Sequence, residues 1–184
     1  MRVLVTGGCG YIGSHTVCEL LKNNYEVVII DNFSNSKKDV IDKIKTLTGG
    51  DVKLYEGDVC NKRLLEEIFS KENIEAVIHF AGYKAVGESV KKPLMYYENN
   101  LISTLYLLEV MKKYNCKKFI FSSSATVYGT PKELPIKESF PLSTTNPYGT
   151  TKLMIEMILK DIYKADNSLD ITILRYFNPI GNEE

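Results

Sequence analysis

Six short runs of β-branched and aliphatic residues recur along the chain, at 2–6, 26–30, 52–56, 76–80, 118–122 and 171–176. Between them lie stretches of helical length at 12–23, 37–47, 62–71, 94–114 and 148–165. Such alternation leaves few ways to fold, because each parallel strand pair needs a crossover long enough to hold a helix. The apolar runs are continuous, as in strands covered on both faces. The expected fold class is α/β: a doubly wound parallel sheet with helices on both faces. Residues 129–145 carry Pro131, Pro135 and Pro141 and read as a loop, and connections longer than about 12–15 residues are usually functional or disordered.

Immediately after the first run stands Thr6-Gly7-Gly8-Cys9-Gly10-Tyr11-Ile12-Gly13, followed by an amphipathic stretch. Gly7, Gly10 and Gly13 satisfy one glycine spacing and Gly8, Gly10 and Gly13 a second. Such glycines allow a tight turn, close backbone approach to a pyrophosphate and close packing of helix on strand. Asp31 ends the second run, 18 residues beyond Gly13. A carboxylate there can accept both adenosine ribose hydroxyls and repels a 2′-phosphate, which favours NAD over NADP. Asp58, at the end of the third run, reads either as an adenine contact or as a helix N-cap.

A second cluster lies towards the C-terminus. Asn146 and Pro147 are suited to open a helix, which puts Tyr148 and Lys152 at i and i+4 on one face. An ammonium beside a phenol favours the phenolate, and a positively charged nicotinamide would favour it further, so the pair can act as a general base. The fifth run leads into Ser122-Ser123-Ser124-Ala125-Thr126-Val127-Tyr128-Gly129, placing hydroxyls at a carboxyl edge, where open α/β sheets bind ligands. A serine there can bond the substrate hydroxyl that loses its proton. His79 reads as a packed strand residue.

Charge and composition exclude several classes. The 23 basic and 23 acidic side chains balance, which removes the excess that nucleic-acid phosphates require. No apolar run exceeds four residues, so neither a membrane span of about 20 residues nor a signal-peptide core fits, and a cytoplasmic location is expected. Cys9, Cys18, Cys60 and Cys116 are scattered, with only His15 and His79 as nitrogen partners. Reduced thiols and no metal site are expected.

The glycine turn, the segment His79-Phe80-Ala81-Gly82-Tyr83-Lys84-Ala85-Val86-Gly87-Glu88-Ser89, the serine-rich block, Tyr148 with Lys152, and Arg175-Tyr176-Phe177-Asn178-Pro179 together resemble the UDP-glucose 4-epimerases, members of the extended short-chain dehydrogenase/reductases. The resemblance implies a Rossmann-like fold with NAD as cofactor. It places Tyr11 and Ile12 against the pyrophosphate, and Asp31, Asn32, Phe33, Ser34, Asn35 and Ser36 around the adenosine ribose. Asp58 and Val59 would meet the adenine, and Phe80, Ala81, Gly82, Tyr83, Lys84 and Asn99 would line the groove. Ser124, Tyr148 and Lys152 would be the catalytic set, with Lys152 on the nicotinamide ribose, Phe177 near the nicotinamide and Asn178 on the nucleotide sugar. Lys84, Ser124 and Tyr148 would also touch substrate. UDP-glucose and UDP-galactose are the implied substrates and a homodimer the implied assembly. Family chains run to nearly twice this length, so residues 1–184 are expected to be the cofactor domain without the C-terminal substrate domain, binding NAD with little turnover. The alternatives are a nucleotide-sugar 4,6-dehydratase, whose family carries Thr-Asp-Glu where this chain has Ser124-Ala125-Thr126, and a non-catalytic NAD-binding module.

Overall fold

A computed structural model of the chain describes residues 1–181. The six expected strands form: β1 (Arg2–Thr6), β2 (Glu26–Asp31), β3 (Val52–Glu56), β4 (Ala76–His79), β5 (Lys118–Ser124) and β6 (Asp170–Tyr176). They make one parallel sheet in the order β3-β2-β1-β4-β5-β6. The helices are α1 (Tyr11–Lys22), α2 (Asp39–Thr48), α3 (Lys62–Glu72), α4 (Val86–Lys91), α5 (Pro93–Lys113) and α6 (Pro147–Ala165). Right-handed crossovers run one way from β1 to β3 and the other way from β4 to β6, which puts helices on opposite faces.

The two faces have separate cores. Val3, Val5, Val27 and Ile29 pack under Val17 and Cys18 of α1 and Ile44 of α2. Leu4, Val28, Ile30, Val77, Phe119 and Phe121 pack under Leu65 and Ile68 of α3, Leu107 and Met111 of α5, and Ile155 and Leu159 of α6. Adjacent strand residues thus enter different cores, which explains why the sequence runs are apolar throughout.

Two differences from the sequence expectation bear on the site. The six-residue helix α4 has too few turns to leave a periodic signature. β5 continues two residues past 122, because Ser123 and Ser124 pair in register with Arg175 and Tyr176 of β6. Residues 129–145 are irregular as expected, joined to the fold by a bridge between Tyr128 and Ser143. Among the described residues no helix is long and apolar enough to cross a membrane, and no group of His, Cys, Asp and Glu could hold a metal ion.

Candidate functional site

The carboxyl ends of the strands open into a cavity of about 1000 Å³, spanning the point between β1 and β4 where the strand order reverses. Its floor at β1 is the glycine turn. Gly7 has φ +67° and donates its N–H to the Ile30 carbonyl at 2.8 Å, fixing the turn to β2. A Cβ on Gly13 would fall 2.2 Å from the Gly7 carbonyl oxygen, so α1 can approach this closely only with glycine there. No side chain caps α1 at Gly10, whereas Asn61 caps α3 and Asn146 caps α6. The first turn of α1 lines the cavity and contains no acidic residue. An uncapped helix start in a glycine cradle suits the pyrophosphate of a dinucleotide.

Asp31 is buried and already employed. Oδ2 accepts from the Cys9 N–H at 2.9 Å, and Oδ1 accepts from the Phe33 N–H at 2.9 Å and the Ser36 hydroxyl at 3.0 Å. It therefore ties the glycine turn to the loop after β2, and the Ser36 bond is the one a ribose hydroxyl could replace. Asp58 accepts from the Cys60 N–H at 2.8 Å and from the Asn32 amide at 2.9 Å, linking the ends of β2 and β3. The N-cap role considered for Asp58 belongs to Asn61, whose side chain accepts from the Leu64 N–H.

Gly7, Gly10, Tyr11, Ile12, Gly13, Asp31, Asn32, Ser34, Asn35, Ser36, Asp58, Val59, Phe80, Ala81, Gly82, Tyr83, Lys84, Asn99, Ser124, Tyr148, Lys152, Phe177 and Asn178 all line this one cavity. Phe33 does not. Its positive φ of 55° turns the ring towards the core beneath α1 and α2, with the Lys38 ammonium 5.5 Å from its centre. Glu88 and Tyr96 line the cavity although the sequence did not single them out as site residues. The buried Tyr96 hydroxyl donates to Glu88 at 3.0 Å and accepts from the Ala85 N–H at 3.1 Å, shaping the segment that carries Lys84.

At the other end, α6 begins at Pro147 with Asn146 accepting from the Gly149 N–H at 2.8 Å, so Tyr148 and Lys152 share a face as expected. The buried Lys152 ammonium donates to the Ser122 carbonyl at 2.8 Å, 4.8 Å from the Phe121 ring centre and 5.9 Å from that of Tyr148. Burial pushes its pKa down to about 8. The expected lowering of the Tyr148 pKa is not found in the chain alone: burial raises it above the usual tyrosine value, and a hydrogen bond with Ser124 acts in the opposite direction. Desolvation of the phenolate thus outweighs the favourable partner.

His79 is a structural residue. The Thr104 hydroxyl donates to the Asn100 carbonyl at 2.9 Å, so it accepts from His79 Nε2–H at 3.1 Å. Nδ1 accepts from the Thr6 hydroxyl at 2.7 Å, and Thr6 accepts from the Ala81 N–H at 3.2 Å. Burial, with Lys152 adding to it, pushes the imidazole pKa to about 3 and keeps it neutral.

The family model for GDP-mannose 4,6 dehydratase matches residues 4–184. The chain belongs to this family. Within it, similarity is to proteins named as epimerases. A UDP-glucose 4-epimerase of Bacillus subtilis is 56% identical over 181 residues, covering 98% of this chain and 53% of that protein. A bifunctional UDP-glucose 4-epimerase and UDP-xylose 4-epimerase 1 of Pisum sativum is 52% identical, covering 100% and 53%. The crystal structure of a Bifidobacterium longum UDP-glucose 4-epimerase in complex with NAD+ and UDP superposes with a TM-score of 0.97 at 59% identity, covering 98% of this chain and 54% of that one. The chain spans about half the length of the curated relatives it matches. The Rossmann-like fold and the resemblance to UDP-glucose 4-epimerases expected from the sequence both stand.

Proposed function

We propose that the chain binds NAD and forms the cofactor-binding part of an enzyme that interconverts UDP-glucose and UDP-galactose through a transient 4-keto sugar. The observation that carries this reading is a single cavity lined at one end by the glycine turn and Asp31 and at the other by Ser124, Tyr148 and Lys152. The uncapped start of α1 would hold the pyrophosphate, Asp31 and Ser36 the adenosine ribose, and Lys152 the nicotinamide ribose. When bound, NAD supplies a hydride acceptor that returns the hydride to the opposite face of the sugar. Tyr148 takes the proton from the 4-hydroxyl and later gives it back, with Ser124 bonding the same oxygen. A cationic ring beside the phenol would offset the desolvation that raises Tyr148. Asn178 would touch the nucleotide sugar, whose remaining contacts would come from the second half of a full-length protein.

A dehydratase would need an additional acid–base pair at the sugar. Among the described residues the carboxylates lining the cavity are Asp31, Asp58 and Glu88. The first two serve the adenosine end, and Glu88 is engaged by Tyr96 and Lys92. Ser124-Ala125-Thr126 supplies no carboxylate, which favours epimerisation. A homodimer formed through α5 and α6 accounts for the exposed Leu105, Met154 and Met157. The four free cysteines fit a reducing, cytoplasmic compartment.

Calorimetric titration of the chain with NAD and NADP tests the cofactor reading: tighter NAD binding is expected, and equal or reversed affinity would refute it. For the reaction, the full-length protein is assayed for UDP-glucose formation from UDP-galactose. Turnover abolished by Tyr148→Phe is expected, and unaltered turnover in that variant would refute the role of Tyr148.

A further inference from the structure

Tyr148, Lys152 and Glu156 stand at i, i+4 and i+8 on one face of α6, and Glu156 has no exposed surface. Three bonds occupy its carboxylate. Oε1 accepts from the Ser123 hydroxyl at 2.6 Å and from Arg175 Nε at 3.0 Å, and Oε2 accepts from Arg175 Nη2 at 2.7 Å. The other arm of Arg175 donates to the Tyr128 hydroxyl at 2.7 Å and the Glu138 carbonyl at 3.4 Å, with the guanidinium carbon 4.9 Å from the Tyr128 ring centre. Tyr128 in turn stacks on Phe177, with ring centres 6.5 Å apart and planes at 29°.

Each member of this cluster is covalently close to a group in the cleft. Ser123 precedes Ser124, Glu156 lies one turn beyond Lys152, and Arg175 pairs in register with Ser123 two residues before Phe177. A guanidinium fork on a buried carboxylate has a fixed geometry, and separating it would strand a charge in the interior. The cluster therefore resists any sliding of α6 along β5 and β6 that would shift Tyr148 and Lys152 relative to Ser124 across the cavity they share.

We propose that Glu156 and Arg175 are positioning residues that clamp α6 to β5 and β6, holding Tyr148 and Lys152 in place against Ser124 in the shared cleft and, through Tyr128, setting its Phe177 wall. The proposal rests on the reading of Tyr148 as the proton-transfer group and adds what holds it in place.

The test follows the Tyr148 phenol itself. The chain is labelled with carbon-13 at the tyrosine Cζ, the Tyr148 resonance is assigned with Tyr148→Phe, and its pH titration is followed by NMR without and with NAD. Ser124→Ala sets the full size of the Ser124 effect. Glu156→Gln and Ser123→Ala are each expected to move the Tyr148 titration upward by at least threefold in ionisation constant, and to weaken NAD binding at least threefold. Ser123→Ala removes one hydroxyl and leaves the ion pair intact, so it decides the question if Glu156→Gln fails to fold. A Tyr148 titration unchanged in Ser123→Ala overturns the proposal, even if the variant melts earlier, because the cluster would then be structural only. Failure of the unaltered chain to bind NAD would refute the cofactor reading, while the ligand-free titration would still decide the clamp.

Discussion

Replacing Lys152 with Met should make the chain more stable at neutral pH and a worse NAD binder. Lys152 is buried and its folded pKa is about 8 against an ordinary value of 10.5. Below pH 8 the group is charged in both folded and unfolded chains, so the full cost of burying the charge is present. At 1.36 kcal/mol per unit, that cost is roughly 3 kcal/mol. As pH rises from about 8 to 10.5 the folded chain binds fewer protons than the unfolded one, and the wild-type protein gains stability as the cost disappears. Met keeps the stem but loses the bond to the Ser122 carbonyl, worth about 1 kcal/mol. Lys152→Met should therefore be about 2 kcal/mol more stable at pH 7, with the advantage largely gone by about pH 9.5. Urea unfolding at both pH values measures this directly. With a slope near 2 kcal/mol per molar, the midpoint should rise by about 1 M at pH 7. NAD affinity should fall at the same time, because the ammonium that would hold the nicotinamide ribose is gone. A Met variant no more stable than wild type at pH 7, or an advantage independent of pH, would refute a buried, strained charge at this position.

Three further outcomes follow from the same contacts. Gly13→Ala should lower stability by about 3 kcal/mol and reduce NAD binding at least tenfold, because its Cβ meets backbone at 2.2 Å; thermal melting and calorimetry check both. Asp31→Ser should narrow the preference for NAD over NADP and cost about 2 kcal/mol, since the Cys9 and Phe33 N–H groups lose their acceptor; paired titrations and urea unfolding measure the two effects. Met157→Glu places a charge on the exposed apolar face of α6 and should lower dimer content in sedimentation equilibrium without changing the melting temperature of the monomer.

Most of the architecture was legible because it is written locally. Each strand is a short β-branched or aliphatic run, each long helix a stretch of helical length between two such runs, and crossover handedness converts their order into a doubly wound sheet. The glycine turn was readable for the same reason at Gly13, whose constraint is set by Gly7 and Gly8 a few positions away, whereas Gly7 answers to Ala81 and Phe80 across the sheet. Asn146 and Pro147 likewise announce the start of α6 and thereby the shared face of Tyr148 and Lys152. Phe33 was misleading because its neighbours in sequence face the cavity while its own backbone turns it into the core.

What the sequence determined alone was the order of elements, the glycine turn after β1 and the spacing of the Tyr148–Lys152 pair, all marked by residues that lie close together along the chain. Only the tertiary structure decided how far β5 extends, that Asp31 braces the glycine turn, and that Ser123, Glu156 and Arg175 meet beneath the cleft. It also decided the direction in which Tyr148 and Lys152 are perturbed, raised for the phenol and lowered for the amine. The physical reason is that burial and long-range pairing depend on which residues distant in sequence remove water from a group, and neither spacing nor composition carries that information.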